Sequence, residues 1–202
     1  MWTIINESWG IDLDSPAQRA WLRAMYDEVS ALTPGCLVVD NSPCEPNYHL
    51  RSDVEDFHVY RGIPESRRDW DAKIADFATR PDWTYSPHGD ADRSGTEPLV
   101  LSEFGNWGLP QTLDQYADGA EPWWFALGAD WAFGAADGTG LLQRYQRLGL
   151  ERVFGSWDGL IDQLQRAQFV SNAYQTTSIR LQTDIRGYVL TQLSDVLWEA
   201  NG

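Results

Sequence analysis

Short apolar runs alternate with longer stretches of helical periodicity along this chain. Trp2-Thr-Ile-Ile-Asn6 is β-branched at its centre and stops at the polar Glu7-Ser8-Trp9-Gly10, which predicts a strand ending in a loop. Asp14-Ser15-Pro16 predicts a helix start with Pro in the first turn. Ala17, Trp21, Leu22, Met25, Val29 and Leu32 follow at helical spacing until Pro34-Gly35 closes the element. Leu37–Asp40 predicts a second strand, the polar stretch from Asn41 to Asp53 a loop, and Val54–Tyr60 a third strand. Pro64–Arg80 predicts a second helix, and the Asp-, Gly-, Pro- and Ser-rich stretch Pro81–Thr96 an exposed loop. Pro98–Ser102 predicts a fourth strand. Residues 112–150 carry broken helical patterns with Trp123, Trp124, Phe125, Trp131 and Phe133 among them. Trp157–Arg186 predicts one long helix, and Gly187–Leu193 a fifth strand.

Short buried strands alternating with helices predict an α/β fold with a parallel sheet. Polar groups gather just after the predicted strands, at Glu7, Asp40, Tyr60, Glu103 and Gln192. That distribution is what a (β/α) barrel requires, because its active site is built at the C-terminal ends of the strands.

The length of 202 residues suits one domain with a sizeable core. No apolar run approaches the ~20 residues of a membrane span, and no basic segment precedes the first strand, so a soluble, cytoplasmic protein is expected. A net charge of −15 argues against nucleic acid, whose phosphates demand clustered Lys and Arg. Cys36 and Cys44 lack zinc-type spacing, and no metal or cofactor is expected. A Cys36–Cys44 disulfide is open, but Cys36 begins a strand, which favours two free thiols. Eleven Trp residues are more than a chain of this size ordinarily carries. Most fill cores, and some of their flat apolar faces suit a pyranose ring.

Two carboxylates each end an apolar strand, Asn6-Glu7 and Ser102-Glu103. Parallel strands bring both to one edge of the sheet. Cleavage of a glycosidic bond with retention needs such a pair about 5–5.5 Å apart. One attacks the anomeric carbon, while the other protonates the leaving oxygen and then activates water. The acid must have a raised pKa and the nucleophile must stay ionised.

Trp-Thr-Ile-Ile-Asn-Glu-Ser-Trp-Gly resembles the acid/base segment of glycoside hydrolase family 2, the β-galactosidases, β-glucuronidases and β-mannosidases. Pro-Leu-Val-Leu-Ser-Glu-Phe-Gly resembles its nucleophile strand. The resemblance implies Glu7 as acid/base and Glu103 as nucleophile of a retaining β-glycosidase acting on a β-linked carbohydrate. It implies a partial (β/α)8 TIM barrel, strands four to eight with surrounding helices, occupying residues 1–202 as a single domain. Asn6 would hydrogen-bond the sugar 2-hydroxyl, and Asp56-Phe-His-Val-Tyr60 matches the strand whose Tyr supports the nucleophile. Strand alternation puts His58 and Tyr60 on one face. His58 reads equally well as a core histidine. Trp9 and Trp107 are candidates for sugar stacking, although a lone Trp is more often structural. Asp40 reads as orienting its loop, and Cys44 as lying near the cleft.

The resemblance further implies that the family's N-terminal sandwich domains and barrel strands one to three are absent. An open sheet would then expose strand edges and apolar interior. Weak or no activity of the isolated chain is the expectation, with self-association or a partner supplying the missing half. A family Trp that ends strand eight is replaced here by Thr191-Gln192, with Trp198 later. The absence of an Asn-x-Lys triplet disfavours a glucuronide. Rival readings are a carbohydrate-binding remnant and an interaction protein.

Overall fold

A computed structural model describes residues 1–109, 141–196 and 201–202. The chain divides into two compact units, Met1–Phe104 with Gln175–Leu190, and Gly105–Tyr174 with Thr191–Gly202.

The first unit holds β1 (Trp2–Asn6), α1 (Pro16–Leu32), β2 (Val38–Ser42), β3 (Glu55–His58), α2 (Arg67–Phe77), β4 (Leu99–Phe104) and β5 (Ile185–Leu190). The five strands stand at the five apolar runs. A single 3-10 turn, Asp82–Thr84, interrupts the polar loop before β4. Pro16 opens α1 after an extended Ser15, where a missing N–H costs nothing. The inward face of α1 departs from the spacing: Arg19, Leu22 and Tyr26 are buried, whereas Trp21 and Leu32 are exposed. Arg19 is held inside by Asp90 at 2.6 Å and by the Leu13 carbonyl at 2.8 Å. Satisfied hydrogen bonds make that burial tolerable, so hydropathy alone misassigns the face. Leu22 packs with Leu13, Tyr48 and Leu50 against Ile4 and Ile5 of β1.

The expected partial barrel is not what forms. The strands make two separate parallel sheets, β1-β2 and β3-β4-β5. The reason lies at the seam between β2 and β3. There the His49 ring stands between the strands, Nδ1 on Asp40 of β2 at 2.9 Å and Nε2 on the Asp56 carbonyl of β3 at 2.9 Å. A side chain thus satisfies backbone that a continuous ladder would have paired. Two backbone bonds flank the seam, Asp53 N–H to the Val38 carbonyl at 2.9 Å and His58 N–H to the Pro43 carbonyl at 2.8 Å.

Phe57 of β3 points away from the seam and packs on Phe77 of α2 and on Trp83, whose ring centroid lies 4.7 Å away. Trp70 of α2 is fully buried beside Phe104 of β4. Burial of each such ring contributes about 1.5–3 kcal/mol, which anchors α2 on one face of the three-stranded sheet. The opposite face is left for polar groups. At the outer strands, Trp2 of β1 and Tyr188, Val189 and Leu190 of β5 are exposed.

In the second unit, α3 (Leu141–Arg147) and α4 (Glu151–Phe154) precede α5 (Trp157–Arg180), whose residues from Gln175 belong to the first unit. Gly155 ends α4 at φ 77°, a left-handed position that suits glycine. The Tyr145 and Trp157 rings meet edge to face at 5.3 Å. The sequence predicts α5 to run on to Arg186. It stops at Arg180 because Ile185 is already paired with Leu99 in the sheet. Trp123, Trp124, Phe125, Trp131, Phe133 and Trp198 lie outside the described residues. Among the described residues, no helix is long and apolar enough to cross a membrane.

Candidate active site

Four strands deliver polar groups to one place at their C-terminal ends. Glu7 follows β1, Ser42 ends β2, His58 ends β3 and Glu103 lies near the end of β4. Local backbone fixes each of them. Glu7 and Ser8 both take left-handed conformations, φ 51° and 58°, which cost a non-glycine residue about 1–3 kcal/mol. The turn is held by its surroundings. Glu7 N–H donates to the Ser42 carbonyl at 2.8 Å, and Asn47 Nδ2 donates to the Glu7 carbonyl at 3.1 Å. Ser8 exchanges two bonds of 2.9 Å with the Asn41 side chain. On β4 a bulge does the aiming. Asp56 and Phe57 pair with Val100 and Leu101, but His58 then pairs with Glu103, so Ser102 is the extra residue. Bulges re-aim side chains next to active sites. This one sets Glu103 opposite His58.

The His58 ring, almost fully buried, lies between the two glutamates. Its Nδ1 is 2.8 Å from Glu7 Oε1 and 3.4 Å from Glu103 Oε2. Facing oxygens of Glu7 and Glu103 lie within 4.8 Å of each other and of the ring nitrogen. Tyr60 donates its hydroxyl to Glu103 Oε2 at 2.7 Å, and Trp9 Nε1 donates to Glu7 Oε2 at 3.3 Å. A cavity of about 190 Å³ opens beside them, lined by Glu7, Cys44, His58, Tyr60, Arg61 and Lys73 among others. Glu7, His58 and Glu103 also have the spacing to hold a cation, with Nδ1 of His58 already engaged by Glu7.

Behind this cluster runs a chain of buried groups. Nε2 of His58 lies 2.8 Å from Ser42 Oγ. Ser42 and Ser102 both donate to Asp56 Oδ2. Asp56 Oδ1 lies 3.4 Å from Nε2 of His49, whose other nitrogen meets Asp40. Asp40 Oδ2 accepts the backbone N–H groups of Leu50 and Arg51 at 2.7 and 3.0 Å, so Asp40 orients its loop as expected.

The electrostatics follow from these contacts. The hydrogen bond from His58 holds the Glu7 carboxyl below its ordinary value, against the opposing pull of burial. A general acid needs a raised value, and the resting site does not supply it. Burial and the neighbouring Glu7 charge push the Cys44 thiol up to about 11, so it is an unreactive thiol. Cys36 and Cys44 are both free. Burial alone would lower His49, but the hydrogen bond to Asp40 and the charges of Asp40 and Asp56 prevail and push it up to about 9. At neutral pH the ring is therefore protonated, with Nδ1 donating to Asp40.

Of the residues singled out from sequence, Glu7, Glu103, His58, Tyr60 and Trp9 come together, and Asn6 sits exposed at the end of β1. Trp107, also exposed, belongs to the second unit. Gln192 likewise belongs to that unit, bonded to Asn201. The sequence assigns no role to Ser42, Asp56, Ser102 or His49. Asp56 and His58 stand two apart on one strand, a signal that a polar pair shares a buried face. Against protein-family models, curated proteins and solved structures alike, the chain finds no match.

Proposed function

We propose that the chain carries the site of a retaining β-glycosidase, with Glu103 as nucleophile and Glu7 as acid/base. One observation supports this above the others: the facing oxygens of the two carboxylates lie within 4.8 Å. Displacement with retention works with carboxyl groups about 5–5.5 Å apart, whereas inversion needs about 6.5–9.5 Å to admit a water between them.

In this reading Glu103 attacks the anomeric carbon of a β-linked sugar. The Tyr60 hydroxyl donates to Oε2 of Glu103 and orients the carboxylate for that attack. Glu7 protonates the departing oxygen, and its carboxylate then takes a proton from the water that releases the glycosyl group. Asn6 supplies a hydrogen bond to the sugar 2-hydroxyl, and the exposed ring of Trp9 offers a stacking face. The resting Glu7 is held ionised, so its acid role requires a proton donor, and His58 is 2.8 Å away. The net charge of −15 favours a neutral carbohydrate over nucleic acid. We place the protein in the cytoplasm, where both thiols remain free.

The exposed apolar residues of β1 and β5 favour a second reading, in which the site works only when another chain or a second copy covers them. Assay of the purified chain with nitrophenyl β-glycosides tests the first reading. Turnover should fall by about 10²–10⁴-fold in Glu7→Gln. In Glu103→Gly it should vanish and be restored by azide with an α-glycosyl azide as product. Sugar binding without turnover, indifferent to Glu103→Gln, would replace the enzyme with a binding protein. Turnover appearing only above a threshold protein concentration would favour the second reading.

A further inference from the structure

Ser42 has one proton and three polar neighbours. Its oxygen meets Asp56 Oδ2 as a donor, His58 Nε2 at 2.8 Å and Ser102 Oγ at 3.2 Å. Ser102 also spends its proton on Asp56 Oδ2. A carboxylate only accepts, and bonds to it are the stronger ones, so both hydroxyl protons are committed there. The remaining lone pair of Ser42 can only accept, and the group facing it is Nε2 of His58. That nitrogen therefore carries a hydrogen.

We propose that Asp56 and Ser42 act as positioning residues that lock His58 in its Nε2–H form, so that His58 Nδ1 and Glu7 Oε1 share a single proton. Everything needed for the lock is buried: Ser42, Asp56 and His58 are 5%, 2% and 3% exposed. Among the described residues, Nδ1 meets carboxylate oxygens of Glu7 at 2.8 Å and Glu103 at 3.4 Å. Among the described residues, the other titratable or charged groups around the pair are the Cys44 thiol beside Glu7, the Tyr60 hydroxyl on Glu103, Glu45, Arg61 and Lys73 along the cavity, and the Asp40–His49 pair behind Asp56. The proton then has two places. On Nδ1 it makes an imidazolium and leaves Glu7 ionised, the arrangement in which the His58 hydrogen bond lowers the Glu7 carboxyl. On Glu7 Oε1 it makes the neutral acid and leaves a neutral imidazole with Nδ1 accepting. Transfer breaks the Nδ1–H bond and forms the Oε1–H bond across 2.8 Å, with no other group changing charge.

The acid role of the shared proton rests on the glycosidase reading above. When a leaving oxygen takes the proton from Glu7, the site is left one proton short. The water that later attacks the glycosyl group returns one to Glu7, and from there to Nδ1. Had the lock been reversed, with hydrogen on Nδ1 and Nε2 bare, the neutral ring could donate to Glu7 but never accept from it, and Glu7 could not be held as a ready acid.

The test reads the tautomer directly and needs no substrate. Long-range 1H–15N correlation spectra of the whole 15N-labelled chain report which imidazole nitrogen is protonated. Only three histidines contribute, and His58→Gln identifies the signal. In the wild type, raised to a pH at which His58 is neutral, Nε2 should carry the hydrogen. Ser42→Ala should release the lock and give a mixture of tautomers, Ser42→Thr should restore the Nε2–H form, and Ser102→Ala should leave it unchanged. A wild-type ring protonated on Nδ1, or a tautomer indifferent to Ser42→Ala, would overturn the proposal. Absence of turnover with the Nε2–H lock intact would instead sink the glycosidase reading and leave the lock standing.

Discussion

Two histidines in the first unit each stand between a pair of carboxylates, and their surroundings differ. His58 lies 2.8 and 3.4 Å from Glu7 and Glu103, whose side chains are 21% and 28% exposed. His49 lies 2.9 and 3.4 Å from Asp40 and Asp56, which are 0% and 3% exposed. The distances match, but the solvent does not. Around His49 the charges have no water to fall back on, so removing one member strands the others in a low dielectric. Around His58 the glutamates remain hydrated, and the proton can move. The same arrangement is a clamp when sealed and a working site when open at one side. Ser42 and Asp56 join the two, because Asp56 belongs to the sealed triad and Ser42 touches the open one.

The comparison predicts opposite phenotypes on its two sides. Glu103→Gln should cost about 10⁴-fold or more in kcat, as removal of a nucleophile does, while urea unfolding stays near that of the wild type. His49→Ala should do the reverse and remove about 3–5 kcal/mol of stability by leaving Asp40 and Asp56 unpaired. His58→Ala, beside hydrated carboxylates, should cost much less in the same unfolding assay. Equal losses for the two histidines would erase the distinction.

Titration sharpens it further. His49 is raised when folded, so its contribution is complete below the ordinary histidine value of 6.5 and is lost as pH rises through about 9. Glu7 is lowered when folded, so its contribution is present above its ordinary value and is lost as pH falls through the folded one. Unfolding free energies recorded across pH should therefore decline on the alkaline side through the sealed triad, by up to a few kcal/mol. The acid-side decline from the open triad should be smaller, because Glu7 is partly solvated. The smallest effect is expected at Tyr60→Phe, which removes one hydrogen bond to Glu103 and should lower kcat by roughly 10–100-fold with little change in KM.

Much of this was legible from residue order. β1 and α1 carry their own start and stop signals, Asn6-Glu7 after an apolar run and Ser15-Pro16 before one. Those signals are local, and both elements have the expected bounds. Glu7 and Glu103 could be paired because parallel strands bring their ends together whatever the chain between them. The seam could not be read. His49 lies in a polar, turn-rich stretch with no periodicity, and its insertion between β2 and β3 is a tertiary event that divides the sheet and defeats the barrel expectation. The aim of Glu103 was equally hidden, since it depends on Ser102 bulging out of register. Trp21 and Arg19 show the limit of hydropathy. The apolar residue is outside and the charged one inside, because Asp90 arrives from far along the chain to meet it.

The anomeric configuration of the first-formed product tests the central claim most directly. Proton NMR of the reaction in its first minutes, with an aryl β-glycoside that the chain cleaves, reads it before mutarotation intervenes. Carboxylate oxygens within 4.8 Å predict a β-configured hemiacetal, formed by two displacements through a Glu103 ester. An α-configured product would mean single displacement by water, and would contradict the assignment of Glu103 as nucleophile.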